Sequence, residues 1–481
     1  MHSGVAMEPG EIAEECGGEA VGAMFTRLVE YVPGTAATRN AVASSISTKD
    51  NKVFTVRLRK GWRFHDGTEV KARNFVKAWD YSAKKGQRGA GYFIHIAGSG
   101  EVTRSRGLSG LKVVGDHTFT VTLNKPYGGF VSQLGGLAFA PLPDSFFTNR
   151  AGYRKRPVGN GPYRFVSRSA GGEITVQRFD RYGGKVKPNV RKVVYRPFPD
   201  WDDAYDALVQ GKVDFVPEVA STTGLGGRVL NRPYPGIHLL NFPMGDPKTA
   251  GNADFRKALS MAIPRDDVAE ELGATRVAAD SFIPPPTPGA GRATCGRFCR
   301  YDPAGARAAL AKARAAGFKP PKEFALYYNA DGMHEEWVEK VVDAVGKTLN
   351  GQVKVVAKPK ATFADLLDLT ATGKPKGMFR WAWVLDSLHM ADVLATYRSG
   401  SPWNHGRYRS RSYDALLDAA DRTPSRTKAA SLYRAAEKVL VRDMPAIPLF
   451  FDRSIAGYSE NVSNVTLTPL GTLDLLSVKT S

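Results

Sequence analysis

From Ile237 onward the sequence alternates short apolar runs with amphipathic helical patterns, and this alternation restricts the possible folds most strongly. The runs "IHLLNF", "EFALYY" and "QVKVVAK" have the length of strands, and "EEWVEKVVDAVGKTL" between them has the period of a helix. Alternating strands and helices fold as layers in which helices cover a sheet. We therefore expect an α/β region over residues 233–443, with a sheet that is mostly parallel.

The part of the chain before this region has a different pattern. The segment "VFTVRLR" alternates with a period of two, and "LKVVGDHTFTVTLNKPY" is typical of two strands joined at Gly115-Asp116. The helical segment "RNFVKAWDYSAKKG" follows the first of these strands and is expected to end at Gly86. At the other end of the chain, "AIPLFFDRSIAGYS" and "TLDLLSVK" are predicted to be strands. We expect antiparallel sheets in the first half of the chain.

Charge and motifs exclude several classes of protein. Lys and Arg outnumber Asp and Glu by 67 to 47, but no basic helix, zinc-finger spacing or aromatic-basic RNA motif accompanies them, so we expect no nucleic-acid partner. No apolar run approaches the roughly 20 residues that a membrane span needs. The sequence has no G-x-S-x-G, P-loop, G-x-G-x-x-G or H-E-x-x-H motif. We expect a protein that is not an enzyme and has no catalytic residues, no metal and no cofactor.

Two of the three cysteines lie close together in the segment "TCGRFCRYDP". Cys295 and Cys299 fit either a local disulfide or half of a zinc site, but zinc needs two further ligands and no His or Cys pair is spaced to supply them. We therefore expect a disulfide and, with it, an oxidising compartment. Cys16 would then be left unpaired.

The first residues, "MHSGVAMEPGEIAEE", lack the basic and apolar segments of a secretion signal. Glu14 and Glu15 also stand where a lipoprotein would need small or apolar residues before Cys16. Two interpretations remain open. Either a signal or lipid anchor has been removed from an extracellular protein attached to the cell envelope, or Met1 is the true start of a cytoplasmic protein.

Seven segments spread from about residue 20 to the C-terminus carry a resemblance to a known family. In chain order they are "FTVRLRKGWRFHDGTEVKARNFVKAW", "VGNGPYRF", "ALVQGKVDF", "FRKALSMAIPRDDV", "FIPP", "YDPAGARAAL" and "DMPAIPLFF". Together they resemble the extracellular solute-binding proteins of bacterial ABC transporters, in the oligopeptide/dipeptide-binding family (solute-binding family 5). Two segments depart from the family pattern: Pro264 replaces a usual aspartate, and "LDSLHM" replaces an aspartate-tyrosine-proline run.

The resemblance implies an α/β fold of the bilobal periplasmic-binding-protein type, with two α/β lobes, a hinge and an inserted third α+β domain. On this basis lobe one is discontinuous and comprises residues 1–45, 158–232 and 444–481. The inserted domain covers residues 46–157, and lobe two covers residues 233–443.

The segment "MFRWAWVLDS" contains two charges in a run otherwise typical of a buried strand. Alternation places Arg380 and Asp386 on one face and Trp381 and Trp383 on the other. An unbroken strand would hold the two charges roughly 20 Å apart, so they would not pair with each other. One interpretation is that they are solvated charges at strand ends. In the family, by resemblance, an arginine three residues before the tryptophan at the position of Trp383 receives a peptide's carboxylate. An aspartate three residues after that tryptophan receives the peptide's ammonium. Arg380 and Asp386 occupy these two places.

Four aromatic residues are candidate linings of a ligand pocket, although aromatic residues at this spacing are also typical of a core. They are Trp381, Trp383, Trp403 and Tyr408.

The predicted function is the substrate-binding component of an ABC importer. By resemblance, such a protein acts as a monomer, captures oligopeptides or dipeptides between two closing lobes and delivers them to a permease in the membrane. The alternative is a cytoplasmic protein that reuses the fold to bind or transform a pathway intermediate. Nickel or haem binding, known in the wider family, is neither supported nor excluded by the eight scattered histidines.

Overall fold

The computed structural model describes residues 7–12, 15–219, 221–321, 323–373 and 375–480. The side chains of residues 15–17 and 249 lie outside this description, so the expectation for Cys16 falls outside it as well. The chain forms two compact units. Unit one comprises Met1–Arg232, Asp421–Pro424 and Ser454–Ser481, and unit two comprises Pro233–Ala420 and Ser425–Arg453. The further division into an inserted domain and a first lobe stays a prediction.

Unit one contains most of the short strands. Its elements, up to the point where the chain leaves it, are α1 (Glu15–Met24), β1 (Val29–Tyr31), β2 (Thr38–Asn40), β3 (Ala43–Thr48), β4 (Val53–Leu58), α2 (Ala72–Lys85), β5 (Leu111–Gly115), β6 (Thr118–Thr122), α3 (Phe130–Gln133), α4 (Asp144–Thr148), α5 (Arg150–Lys155), β7 (Tyr163–Arg168), β8 (Ile174–Arg178), β9 (Lys192–Tyr195), α6 (Trp201–Val209) and β10 (Phe215–Val216).

The sheets of unit one are antiparallel, as the period of two predicted. One has the order β3-β4-β6-β5 and another the order β7-β8-β9. Phe54 on β4 is buried, and α2 covers the first sheet with Phe75 and Trp79, whose rings lie 5.9 and 5.7 Å from that of Phe119. The helix ends at Gly86 with φ +59°, which confirms the predicted stop.

Unit two alternates helices with longer strands. Its elements, including the strands that enter and leave it, are β11 (Val229–Asn241), α7 (Pro247–Ala250), α8 (Ala253–Met261), α9 (Arg265–Glu270), β12 (Arg276–Ala278), α10 (Pro303–Ala315), β13 (Glu323–Asn329), α11 (Glu335–Thr348), β14 (Lys354–Lys360), α12 (Phe363–Ala371), β15 (Gly377–Val384), α13 (Met390–Ala395), α14 (Arg411–Asp421), α15 (Arg426–Asp443) and β16 (Ala446–Tyr458). After it come β17 (Val462–Ser463) and β18 (Lys479–Thr480). Among the helices that the structure describes, none has both the length and the apolar character to cross a bilayer.

The main sheet has the order β10-β16-β11-β15-β13-β14, with β12 on β16. β13 runs parallel to β14 and β15, but β11 is antiparallel to β15, and β10 and β12 are antiparallel to β16. The expectation of a mostly parallel sheet therefore holds for β13, β14 and β15, but the sheet as a whole is mixed. The three parallel strands are joined by α11 and α12, the helical crossovers that parallel pairing requires. β11 and β16 instead carry the chain from one unit to the other.

One face of this sheet forms the core of unit two. Leu326 and Met378 on the strands are fully buried and belong to one apolar cluster with Leu259 of α8 and Trp337 of α11. Alternation places Arg380 on the same face of β15 as Met378. The core face therefore becomes polar along β15, and the candidate site begins there.

The predicted C-terminal strand "TLDLLSVK" is wrong. Apart from a single bridge between Leu467 and Leu473, only Lys479–Thr480 pairs as a strand here. Asp474 explains the difference, because its Oδ1 accepts a hydrogen bond from Leu476 N at 3.1 Å and its carbonyl oxygen accepts one from the amide that lies three residues on. Such local hydrogen bonds compete with the ladder of a sheet.

The loop between β12 and α10 contains the two closely spaced cysteines. In the structure the sulfurs of Cys295 and Cys299 are bonded, with the Cα atoms 5.5 Å apart. Both residues are buried.

We predict that the same bridge exists in protein exported by its own host. Mass spectrometry after non-reducing digestion should find the crosslinked peptide that contains Cys295 and Cys299. Reduction of the same sample should break the crosslink and change the mass accordingly. Recovery of both residues as freely alkylated thiols would contradict the bridge and the oxidising compartment together.

Candidate functional site

Antiparallel pairing of β11 with β15 places the first group of candidate residues. Leu240 pairs with Arg380, His238 with Ala382, and Gly236 with the last residue of β15. Paired residues point to the same face of a sheet, so His238 lies diagonally across from Arg380. The two polar side chains therefore share one face.

Two neighbouring strands complete what we call the Arg380 cluster: His238, Arg276, Asn329, Arg380 and Asp452. Arg276 on β12 pairs with Asp452 on β16. His238 Nε2 and Arg276 Nε lie 3.0 and 2.9 Å from Asp452 Oδ1. Gly236 makes room for this carboxylate, because a Cβ there would lie 1.9 Å from Asp452 Oδ2.

The Arg380 side chain is largely enclosed. Its Nη1 donates to Asn329 Oδ1 at 3.1 Å, and its guanidinium carbon lies 5.7 Å from the centre of the Phe363 ring. Its Nε is buried, and no described residue accepts a hydrogen bond from it. The guanidinium thus has donor capacity that a ligand oxygen can use.

The Arg380 cluster carries an excess of positive charge. Burial, and after it the charge of Arg276, lowers the pKa of Arg380 to about 10, so the side chain is still cationic at neutral pH. Burial alone would raise the pKa of Asp452, but the hydrogen bond from His238 and the nearby cations leave it below its ordinary value. Burial lowers the pKa of His238 and favours the neutral ring. Within the cluster, two guanidinium groups and one carboxylate leave an excess of one positive charge, which favours an anionic ligand group. The carboxylate of Asp331 also acts on Arg380 and is hydrogen-bonded to Asn329, but it is exposed to solvent, which screens its charge.

The histidines of this region do not assemble a metal site. Trp337 Nε1 donates to His334 Nδ1 at 3.2 Å, and burial, followed by the charge of Arg380, lowers the pKa of His334 to about 4. Within the described ranges, no three His, Cys, Asp or Glu side chains come together as ligands of a metal ion.

Asp386 lies beyond the end of β15, in what we call the Asp386 loop, residues 385–389. Because the strand ends at Val384, the spacing of an unbroken strand does not apply to Asp386. Leu385 is buried and its N–H donates to Pro235 O at 2.9 Å, which extends the pairing with β11 by one bond. Asp386 itself is exposed.

A buried carboxylate, Asp392 on α13, holds the other side of this loop. Its Oδ1 accepts from Trp383 Nε1 at 2.8 Å, and its Oδ2 accepts from the N–H and the hydroxyl of Ser387 at 2.9 and 3.0 Å. Burial, and after it the charge of Asp386, raises the pKa of Asp392 to about 7, although these hydrogen bonds oppose the shift. The two carboxylates therefore influence each other electrostatically, and this end of β15 is acidic.

The three candidate tryptophans lie in two groups. Trp381 is buried, with its ring 4.2 Å from that of His405 and 6.1 Å from that of Phe363. Trp383 lies 5.3 Å from Trp403, which is 50% exposed. Trp381 therefore packs as a core residue, whereas the pair of Trp383 and Trp403 presents an aromatic surface beside the Asp386 loop.

Tyr408 lies at a different place in unit two. Its buried hydroxyl donates to Asp443 Oδ2 at 2.6 Å, and burial raises the pKa of this phenol. Tyr408 and Asp443 line a cavity of about 530 Å³ together with Met244, Gly245, Arg256, Arg407 and Arg409. None of the other five candidate residues lines this cavity.

Besides Asn329, sequence reasoning missed four charged or titratable side chains of the site. Asp452 in "LFFDRS" and Asp392 in "HMADVL" interrupt apolar runs, the same signal that singled out Arg380. His238 lies in the predicted strand "IHLLNF", where a single histidine gives no signal of a functional site. Arg276 has no local signal, because only the pairing of β12 with β16 brings it to the site.

The raised pKa of Asp392 predicts how stability depends on pH. Between about pH 4 and about pH 7 the folded protein holds a proton on Asp392 that the unfolded chain has released, so this residue should lower stability progressively as pH rises through that window. Asp392→Asn removes this titration. The denaturation midpoint of the variant minus that of the parent should therefore increase from about pH 4 to about pH 7.5.

Asp343→Asn is the matched control for that measurement. Asp343 is an exposed residue on α11, so its replacement controls for the loss of a carboxylate that is not buried. A difference between Asp392→Asn and the parent that stays constant with pH would mean that the Asp392 carboxylate is ionised throughout the range.

The chain is similar in sequence to binding proteins of known name. It is 25% identical over 477 residues to a probable deoxycholate-binding periplasmic protein, YgiS, of Escherichia coli K12, a match that covers 92% of this chain and 85% of YgiS. It is 26% identical over 432 residues to the periplasmic oligopeptide-binding protein OppA of Salmonella typhimurium LT2, with 85% of this chain and 78% of OppA covered.

Solved structures match almost the whole fold. The unliganded open form of the periplasmic murein tripeptide-binding protein MppA matches with a TM-score of 0.88 at 22% identity, covering 99% of this chain and 95% of that one. HbpA2 from Haemophilus parasuis matches with a TM-score of 0.84 at 18% identity, covering 99% and 97%. These matches confirm the predicted fold class, the bilobal α/β fold of periplasmic binding proteins.

The family model described as "Bacterial extracellular solute-binding proteins, family 5 Middle" matches residues 37–405. This range is more than half of the chain. The chain therefore belongs to the bacterial extracellular solute-binding proteins of family 5, the solute-binding components of ABC importers, which confirms the predicted family.

Proposed function

We propose that this protein captures peptides with free termini outside the cell and delivers them to a membrane permease, without catalysis and without a cofactor. The observation that carries the proposal is the opposite charge at two places on one stretch of chain. The Arg380 cluster has an excess of positive charge, and the Asp386 loop after β15 has one carboxylate, beside that of Asp392 on α13. A peptide with free termini carries one charge of each sign.

The Arg380 cluster suits the carboxylate of such a ligand. A guanidinium grips a carboxylate with two parallel hydrogen bonds, and Arg380 has a buried Nε that no described residue engages. Arg276 adds a second cation at the same place, although it also neutralises Asp452. The binding of one carboxylate would balance the charge of the cluster.

The Asp386 loop suits the ammonium. Asp386 is exposed, so its carboxylate can reach a ligand, and Asp392 adds negative potential where it is ionised, above its pKa of about 7. Trp383 and Trp403 offer an aromatic surface next to the loop, on which the apolar part of a ligand can pack. Tyr408 has no assigned role in this proposal, because the cavity that it lines contains none of the other candidate residues.

A second candidate is an amphipathic carboxylate that lacks an amine. It is favoured by the similarity to YgiS, whose name says that it probably binds deoxycholate, and by the aromatic surface of Trp383 and Trp403. Such a ligand would use the Arg380 cluster and the tryptophans but not Asp386.

The extracellular location and the closure of two lobes on the ligand are parts of the same proposal. YgiS, OppA and MppA are named as periplasmic proteins, which does not favour the cytoplasmic alternative.

Asp386→Asn should weaken the binding of trialanine about tenfold, or about 1.4 kcal/mol, because the ammonium loses its counter-charge while the shape of the side chain is kept. Isothermal titration calorimetry should measure the change, and N-acetyl-trialanine, which lacks the ammonium, should bind both proteins with the same affinity. Asp343→Asn is the control for a change of charge in the same unit. Equal affinity of Asp386→Asn and the parent for trialanine would remove Asp386 from the site, and tight binding of deoxycholate in place of trialanine would favour the second candidate.

Arg380→Gln tests the other end of the ligand. The variant should bind trialanine at least about tenfold more weakly than the parent, since a charge-assisted pair is lost, but it should bind trialanine amide as well as the parent does. Lys354→Gln, an exposed cation on β14, is the control. If Arg380→Gln weakened the amide and the free acid equally, the carboxylate would not bind at Arg380.

A further inference from the structure

Both chain neighbours of Asp386 are buried and have their main chain fixed. On one side Leu385 N donates to Pro235 O, and on the other Ser387 N donates to Asp392 Oδ2. Ser387 has no exposed surface, in contrast to the exposed residue before it. The position of the Asp386 carboxylate is therefore set by one bond to β11 and by the contacts of Asp392.

The groups that contact the Asp392 carboxylate in these three hydrogen bonds are all donors. Trp383 Nε1 and Ser387 N are obligatory donors, and the Ser387 hydroxyl is also placed to donate. An ionised carboxylate satisfies all three donors. An asparagine would not, because its amide group would turn N–H donors towards one of them. The arrangement thus depends on the carboxylate and not only on the volume of the side chain.

The same contacts join the loop to the strand. Oδ1 of Asp392 binds the indole of Trp383, which lies three residues before Asp386, while Oδ2 binds the residue directly after it. A single buried side chain therefore spans the segment that bears Asp386. The raised pKa of Asp392, to which the charge of Asp386 contributes, indicates that the two carboxylates are close enough to interact.

We propose that Asp392 is a positioning residue for the amine end of the ligand: it clamps Trp383 and Ser387 and thereby holds Asp386 where it receives the ammonium. This inference rests on the proposed function, in which Asp386 is the counter-charge of a peptide's ammonium. Asp392 itself does not touch the ligand in this scheme.

A double-mutant cycle tests the inference. Asp392→Asn alone should weaken the binding of trialanine about fivefold and leave the binding of N-acetyl-trialanine unchanged. In the Asp386→Asn background, Asp392→Asn should have less than about a twofold further effect, because the residue that it positions no longer binds the ammonium. Equal weakening of both peptides, or additive effects of the two substitutions, would overturn the positioning role and indicate a general structural role.

Tryptophan fluorescence of the ligand-free protein gives a readout that does not depend on the ligand. Asp392→Asn should shift the emission by removing the carboxylate from Trp383 Nε1, and this shift should vanish in the Trp383→Phe background. No shift would overturn the clamp itself. A shift together with unchanged trialanine binding by Asp386→Asn would mean that the clamp exists but that the proposed amine site is wrong.

Ser387→Ala is the milder variant if Asp392→Asn fails to fold. It removes one of the three donors and keeps the main-chain bond to Asp392. It should weaken trialanine binding by about twofold without affecting N-acetyl-trialanine, since a single neutral hydrogen bond is lost. No effect on either peptide from a folded Ser387→Ala, combined with no effect in the cycle, would overturn the proposal.

Discussion

The antiparallel ladder between β11 and β15 is the interaction on which the whole candidate site depends. It fixes His238 diagonally across from Arg380, places Gly236 beneath the carboxylate of Asp452, and continues for one further bond to Leu385. A slip of one residue would turn every side chain of β15 to the opposite face. Arg380 would then be turned away from the other members of its cluster, and the Asp386 loop would lose its first anchor.

Two buried aspartates of the site show how the neighbouring groups decide whether the pKa of a buried carboxylate rises or falls. Both are buried, which by itself favours the protonated acid. Asp452 lies among cations, and its pKa falls below the ordinary value. Asp392 has only neutral donors and a second carboxylate nearby, and its pKa rises. The two regions therefore differ in kind: one is stabilised by opposite charges, the other by hydrogen-bond dipoles alone.

Local pattern in the sequence predicted the elements well but not their partners. The helix α2 ends at Gly86 with φ +59°, as the sequence indicated. The odd charge of Arg380 in an apolar run also singled out the strand on which the proposed carboxylate site is built. The directions of all the strands could not be predicted from period alone, because period does not reveal which strands β11 and β16, the two that cross between units, pair with. The predicted face of Asp386 does not apply because β15 ends two residues earlier, and nothing local encodes the approach of Arg276.

The path of the chain has a consequence for how such proteins diversify. Every candidate residue lies in unit two, which is one run of sequence from Pro233 to Arg453 apart from the four residues Asp421–Pro424. Recombination at two junctions would therefore exchange the whole set of these residues between homologous genes and leave unit one unchanged except at Asp421–Pro424. Both junctions fall inside strands, β11 and β16, so a viable chimera must inherit the hydrogen-bonding register of its parents along with the new side chains.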